Sequence, residues 1–332
     1  MQTTQFAHRA KRWLIFFVTS ATIFLNIENA SAQIDNYPNK PITIVVGYPP
    51  GGSADLTGRT LAAELAKKLG VPVVIENIGG AAGAIGAQKV VNAAPDGYTL
   101  LVGSNNEIAI NRLVSPSVRY DVKDFTPLGL IASQPLVLVA SLKSGVKTVD
   151  QFINLVKSSP GKFSYGSSGV GSSLHLAGEM VKDQAGLFMT HIPYRGVAPL
   201  TNDLLGNNID FGVYVLSSAM PHIRSGKLVP LGTTELKRSS VTPDIPALAE
   251  HPKLKNINIG TWWVLMGPAQ LPPAVEARLK KALGESLQAP EFRKKMEDAS
   301  STIAPLGMDM PKFLDAEVIK YKKIVDFAKI KE

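Results

Sequence analysis

Short runs rich in Val, Ile and Leu recur along this chain, each followed by a loop and then a segment of helical period. The strand runs cover residues 42–48, 71–76, 99–103, 136–141, 163–165, 189–194, 209–215 and 228–233. Several are apolar without interruption, as strands covered on both faces are. The helical segments have legible ends. Leu61, Leu65 and Leu69 recur at i+4, and Gly70 stops that helix. Thr148 and Gln151 form a capping box before "FINLVKSS". Pro199 suits the first turn of a helix that Gly206 ends. Alternation of this kind predicts parallel α/β sheets.

Two stretches, "DFTPLGLIASQPLVLV" and "TELKRSSVTPDIPALAEHPKLKN", read as crossings between domains. Two crossings place a second α/β domain, 134–253, inside a first one built from 33–133 and 254–332. Ligands in such sheets bind at the C-terminal edges of strands, and clefts between domains are favoured. Every Gly/Ser loop of this chain falls at such an edge.

The N-terminus carries basic "HRAKRW", apolar "WLIFFVTSATIFL" and the small-residue site Ala30-Ser31-Ala32. These are the three parts of a secretory signal peptide. A membrane anchor is the competing account, but the run 13–25 is short for the ~20 residues of a span. The expectation is cleavage after Ala32 and an exported, periplasmic chain starting at Gln33. Cleavage removes Arg9, Lys11, Arg12 and Glu28, three positive charges and one negative, so a net charge of +8 becomes +6. The remaining positive residues are scattered, and the C-terminal "IKYKKIVDFAKIKE" has the spacing of a solvated helix face. A field that draws in small anions fits better than nucleic-acid binding. The chain has no cysteine, which excludes disulfides, thiolate nucleophiles and Cys-ligated metals.

Four loops carry candidate chemistry. The first, 49–55 in "YPPGGSADLTGR", opens a helix whose N-terminus would face an anion. The second holds Gly80, Gly83 and Gly86. Its G-x-x-G-x-x-G spacing departs from the dinucleotide fingerprint, so close helix-on-sheet packing is the stronger account of Gly83 and Gly86. The third, "YGSSGVGSSLHLAGE", gathers hydroxyl and N–H donors at a helix start. Ser168 has Gly166 before it but Val170 after it, so the G-x-S-x-G hydrolase elbow fails. His175 and Glu179 share a helix face, yet no third ligand is in view, which favours a capping or packing histidine over a metal site. In the fourth loop Tyr194, Arg195 and Gly196 again stand between strand and helix, and Arg195 is either a ligand group or a surface ion-pair residue.

Taken together, "YPNKPITIVVGYPPGGSADLTGR", "NIGGAAGAIGAQKV", "APDGYTLLVGS", "FSYGSSGVGSSLHLAGE", "HIPYRGVAPLTNDLLGNNIDFGV", "PHIRSGKL" and "GTWWVLMGPAQLP" resemble, in order, the Bug-type (TctC-type) substrate-binding proteins of tripartite tricarboxylate transporters. The resemblance implies two hinged α/β lobes with a ligand cleft between them, a periplasmic-binding-protein-like fold. It also implies capture of a small carboxylate and delivery to membrane subunits, by a monomer without catalysis, cofactor or metal. Carried over residue by residue, it assigns the first-lobe site to Gly51, Gly52, Ser53 and Asp55, with Tyr48 on the cleft wall and Ser104 at a strand end. The second-lobe donors fall on Ser167, Ser168, Gly169 and Ser172, beside Tyr194, Arg195 and Gly196. The family often has Phe where this chain has Tyr48. It also often has an acidic residue after "IDFGV", where this chain has Tyr214 and no acid, which points to an aromatic or dicarboxylic acid rather than an amino acid. A periplasmic serine hydrolase and a receptor serving signalling remain the alternatives. Turnover of a chromogenic ester separates the hydrolase, and retention on a nucleotide resin tests the dinucleotide account.

Overall fold

The computed structural model describes residues 36–239, 242–328 and 330. Residues 1–32, expected to be a signal peptide, lie outside the described residues. The account here concerns the body Pro41–Glu332.

Its first part alternates β1 (Ile42–Val46), α1 (Ser53–Leu69), β2 (Val73–Asn77), α2 (Ala84–Val91) and β3 (Thr99–Ser104). A π-helical turn, Asn106–Ile110, follows β3 and leads into α3 (Asn111–Val114). The long β4 (Phe125–Ser141) opens a second run: α4 (Val149–Ser158), β5 (Ser164–Ser167), α5 (Ser173–Ala185) and β6 (Thr190–Pro193). It continues with α6 (Val197–Leu205), β7 (Phe211–Val215), α7 (Leu216–Arg224) and β8 (Leu228–Thr233). The chain then returns through β9 (Gly260–Pro268), α8 (Pro273–Gln288), α9 (Pro290–Asp298), β10 (Thr302–Ile303) and α10 (Met310–Ala328).

The strands run in the order β2-β1-β3-β9-β4-β7-β5-β6, with β8 and β10 also paired to β4. The outer pairs are parallel, as the strand–helix alternation predicts: β1 with β2 and β3, and β5 with β6 and β7. The centre is not. β9 lies antiparallel between β3 and β4, and β4 is antiparallel to β7 and β8. The sheet is therefore mixed, correcting the expectation of parallel sheets alone. β9 is absent from the runs 42–233 because its partners are distant in sequence, while helix-linked neighbours set the rhythm. Its uninterrupted "TWWVLM" is the signal that marks it.

β4 is likewise longer than the run 136–141. It pairs with β9 from Phe125 to Pro135, then with β7 from Leu136 to Ala140, so one strand serves both parts of the sheet. Its register shifts between Pro127 and Gly129, where the missing proline N–H is best tolerated at a bulge. Both parts are close-packed. In the first, Ile42, Ile44, Val45 and Val46 are fully buried. In the second, Phe152 meets Phe211 edge-on with centroids 4.8 Å apart. A Cβ on Gly86 would stand 2.9 Å from the Ile78 carbonyl and 3.0 Å from Gly47 Cα. Gly86 thus lets α2 lie close on the sheet, the packing account of the second glycine loop. Finally, α10 closes over the start of β9. Tyr321 donates to the Gly260 carbonyl at 2.9 Å, and Trp262 Nε1 donates to Glu317 at 2.7 Å.

Candidate functional site

The turn after β1 is held by its own side chains. Gly51 has φ 90°, which glycine adopts without strain, and its N–H donates to Asp55 at 3.0 Å. Asp55 also accepts from Arg59 Nε and Asn77 Nδ2, each at 3.0 Å. Burial opposes ionisation of Asp55, but the bonds from Arg59, the Gly51 N–H and Asn77 outweigh it and hold the carboxyl below its usual range. Gly51 and Asp55 shape the turn. The next residues, Gly52, Ser53 and Ala54 at the start of α1, line a cavity.

That inner cavity spans about 440 Å³ between the two parts of the sheet, with the open solvent at its mouth included. Four helices begin on it: α1 through 52–54, α5 through Ser173 and Leu174, α6 through Val197 and Ala198, and α7 through its N-cap Val215. The first N–H groups of a helix have no partner within it, and the backbone dipoles add partial positive charge there. Tyr48, Asn106, Ser168, Thr261 and Trp263 complete the polar and aromatic lining, and no charged side chain is among the lining residues. The arrangement offers an anion N–H groups and hydroxyls in a partly dehydrated space.

Hydrogen bonds close the cavity across the sheet's two parts. Ser53 N–H donates to Ser218 Oγ at 3.0 Å, and Ser173 N–H donates to Asn106 Oδ1 at 2.8 Å. Asn106 Nδ2 also donates to the Tyr48 hydroxyl, which donates to the Ala82 carbonyl at 3.0 Å. Two buried side-chain atoms on the lining have no partner, Ser173 Oγ and Trp263 Nε1.

A second, outer cavity, spanning about 590 Å³ with the open solvent at its mouth included, shares Tyr48, Pro49 and Ser168 with the first. Residues 80–83, Gly169, Tyr194, Arg195 and Gly196 line it. Gly196 has φ 104° and caps α6. Arg195 is exposed at this rim. Tyr194 donates to Asp203 at 2.7 Å, and burial, then that carboxylate, push its hydroxyl above its usual range.

The structure brings Tyr48, Gly52, Ser53, Ser168, Gly169, Tyr194, Arg195 and Gly196 to the two cavities. Six other expected residues are on neither lining. Tyr214 is fully buried in an apolar cluster with Val137, Val139, Leu200 and Leu204, because it projects from the opposite face of β7 to its neighbour Val215. Ser104 is spent on Glu107, to which both its N–H and its hydroxyl donate. Ser172 is the N-cap of α5: it accepts from His175 N–H and donates to the Gly169 carbonyl at 2.8 Å. Ser167 is fully buried and shares a 2.7 Å hydrogen bond with His191 Nε2. Gly51 and Asp55 hold the turn as described. Asn106, Ser173, Leu174, Val197, Ala198, Val215, Thr261 and Trp263 line the inner cavity without having been expected there, most of them because they follow an expected residue by one position or stand on β9.

Two buried clusters lie behind the site. His175 stacks on His191 with centroids 3.8 Å apart, and its Nδ1 accepts from Gly171 N–H at 3.1 Å. Burial pushes His175 down to about 4 and His191 down to about 3, so both rings pack as neutral groups. Glu107, on the π-helical turn, is 1% exposed, and its Oε1 has no partner. Glycines make room for it: a Cβ on Gly83 would lie 2.4 Å from Oε1. Burial pushes its carboxyl up to about 7.

Comparisons with known proteins agree with this architecture. A family model described as "Tripartite tricarboxylate transporter family receptor" matches residues 57–330. BugT of Bordetella pertussis is 34% identical over 264 residues, covering 78% of this chain and 80% of that protein. The periplasmic binding protein BugD superposes with a TM-score of 0.84 at 29% identity, over 89% of this chain and 99% of that one. R. palustris Rpa4515, solved with adipate, superposes with a TM-score of 0.85 at 29% identity and the same coverage. The fold is the two-lobed fold of periplasmic binding proteins, and the chain is a solute receptor rather than an enzyme. It belongs to the Bug-type (TctC) family of tripartite tricarboxylate transporter receptors.

Proposed function

We propose that this protein is a periplasmic receptor that closes on a small organic acid, dicarboxylic or aromatic, and delivers it to the membrane subunits of a tripartite tricarboxylate transporter. One observation carries the ligand class: four helix N-termini meet at a cavity lined by no charged side chain. An ammonium group would face those positive ends with no carboxylate on the lining to receive it, which disfavours amino acids. The adipate bound to R. palustris Rpa4515 supports the same class. The lobes are 33–133 with 254–332, and 134–253. The switch of β4 from β9 to β7 after Pro135 supports that division. Export follows cleavage after Ala32, and N-terminal sequencing of the periplasmic protein tests it: Gln33 is expected, and a retained Met1 refutes it.

The ligand class is tested by a thermal-shift screen of the mature protein against adipate, malate, benzoate, zwitterionic amino acids and sugars. A true ligand at 100 times Kd stabilises by about 2.7 kcal/mol. Stabilisation by acids is the expected result, and stabilisation only by amino acids or sugars overturns the assignment.

A further inference from the structure

Trp263 and Ser173 are 3% and 0% exposed, and each carries a buried polar atom without a partner. They are the residues with such atoms that line the inner cavity among those described. Folded proteins pair nearly all buried polar side chains, so an unpaired donor on a residue that lines a cavity asks for an acceptor.

Three neighbouring polar side chains are already committed. Thr261, two residues before Trp263 and on the same face of β9, donates to Asn105 Oδ1 at 2.7 Å. The Asn106 amide serves Tyr48 and the Ser173 N–H. Trp262 points the other way and donates to Glu317. Trp263 itself stands mid-sheet, opposite Ser104 of β3 and Ala132 of β4, so its ring is held by two strands. Ser173 is the first residue of α5, in the other part of the sheet. An indole N–H donates only, and a serine hydroxyl can donate.

We propose that Trp263 Nε1–H and Ser173 Oγ–H are side-chain donors to the bound acid, meeting its oxygens one from each part of the sheet. This rests on the carboxylate assignment above and adds which atoms read the ligand. Because the donors come from opposite sides of the cleft, only the closed form satisfies both. The ligand therefore adds to the Ser53–Ser218 and Ser173–Asn106 contacts that already bridge it.

The test uses the full mature chain with adipate, malate and benzoate as probes. Calorimetry gives Kd for wild type, Trp263→Phe, Ser173→Ala and the double variant, using whichever acid binds wild type most tightly. Each single change should weaken binding about 10- to 100-fold, as loss of a hydrogen bond to a charged acceptor does. Loss of ring packing alone could weaken Trp263→Phe, so the indole ¹H–¹⁵N resonances of wild type are followed as well. The Trp263 resonance should move on adding the acid, while that of Trp262, bound to Glu317, stays. If an acid binds wild type but the Trp263 resonance does not move, or both single variants bind within twofold of wild type, the donor assignment falls and the carboxylate assignment stands. If none of the acids binds wild type, the carboxylate assignment itself falls and takes this one with it.

Discussion

Replacing Glu107 by Gln should change how stability depends on pH, with a sign and size set by burial. The carboxyl ionises near 7 in the folded protein against an ordinary value of 4.5, and desolvation is the principal cause. A carboxyl raised in this way favours the protonated folded state. Its penalty is absent below about pH 4.5, grows as pH rises, and is complete above about pH 7. At about 1.36 kcal/mol per pH unit the full penalty is about 3 kcal/mol, most of which develops between pH 5 and pH 8. Gln keeps an oxygen to accept from Ser104 N–H, now 3.0 Å from Glu107 Oε2, and carries no charge. Thermal unfolding of both proteins at pH 5 and pH 8 provides the test. Any constant cost of the substitution cancels in the double difference, as do groups titrating alike in both. At roughly 2 °C per kcal/mol for a chain of this size, the Glu107→Gln variant should gain about 5 °C on wild type between the two pH values. Parallel melting curves across that range would refute the reasoning and mean that Glu107 is solvated in solution.

Gly52→Val should abolish ligand binding without unfolding the protein. Its φ of −87° suits any residue, but even a Cβ there would stand 3.2 Å from Val197 Cγ2 across the cleft. Arg195→Ala, at the exposed rim, should cost less than about tenfold in Kd by the same titration; the reverse order would make the anion's main partner a salt bridge. Asn106→Ala removes the acceptor for Ser173 N–H and the donor to Tyr48. It should weaken binding about tenfold and enlarge the ligand-free radius of gyration in small-angle scattering, so unchanged scattering and affinity would show that this contact does not hold the cleft closed.

Much of this molecule was legible from local chemistry. Gly and Pro end β1, Gly52 precedes α1, and the Ser-rich loop precedes α5, because turns and helix starts are decided by residues a few positions apart. The loops around the cleft could therefore be read one by one. Their unspent hydrogen bonds could not. Asp55, Ser104, Ser167 and Ser172 look like free ligand groups in the sequence, yet folding spends them on Gly51, Glu107, His191 and the Gly169 carbonyl. Tyr214 sits in a strand buried on both faces, where an all-apolar pattern carries no sign of which face meets the cavity. Trp263 came to line the cavity only when β9 paired between β3 and β4, and Glu107 acquired its raised pKa only when Gly47 and Gly83 closed around it. Pairing and burial join segments far apart in the chain, so a donor's final partner is a property of the packed fold and is written in no single stretch of residues.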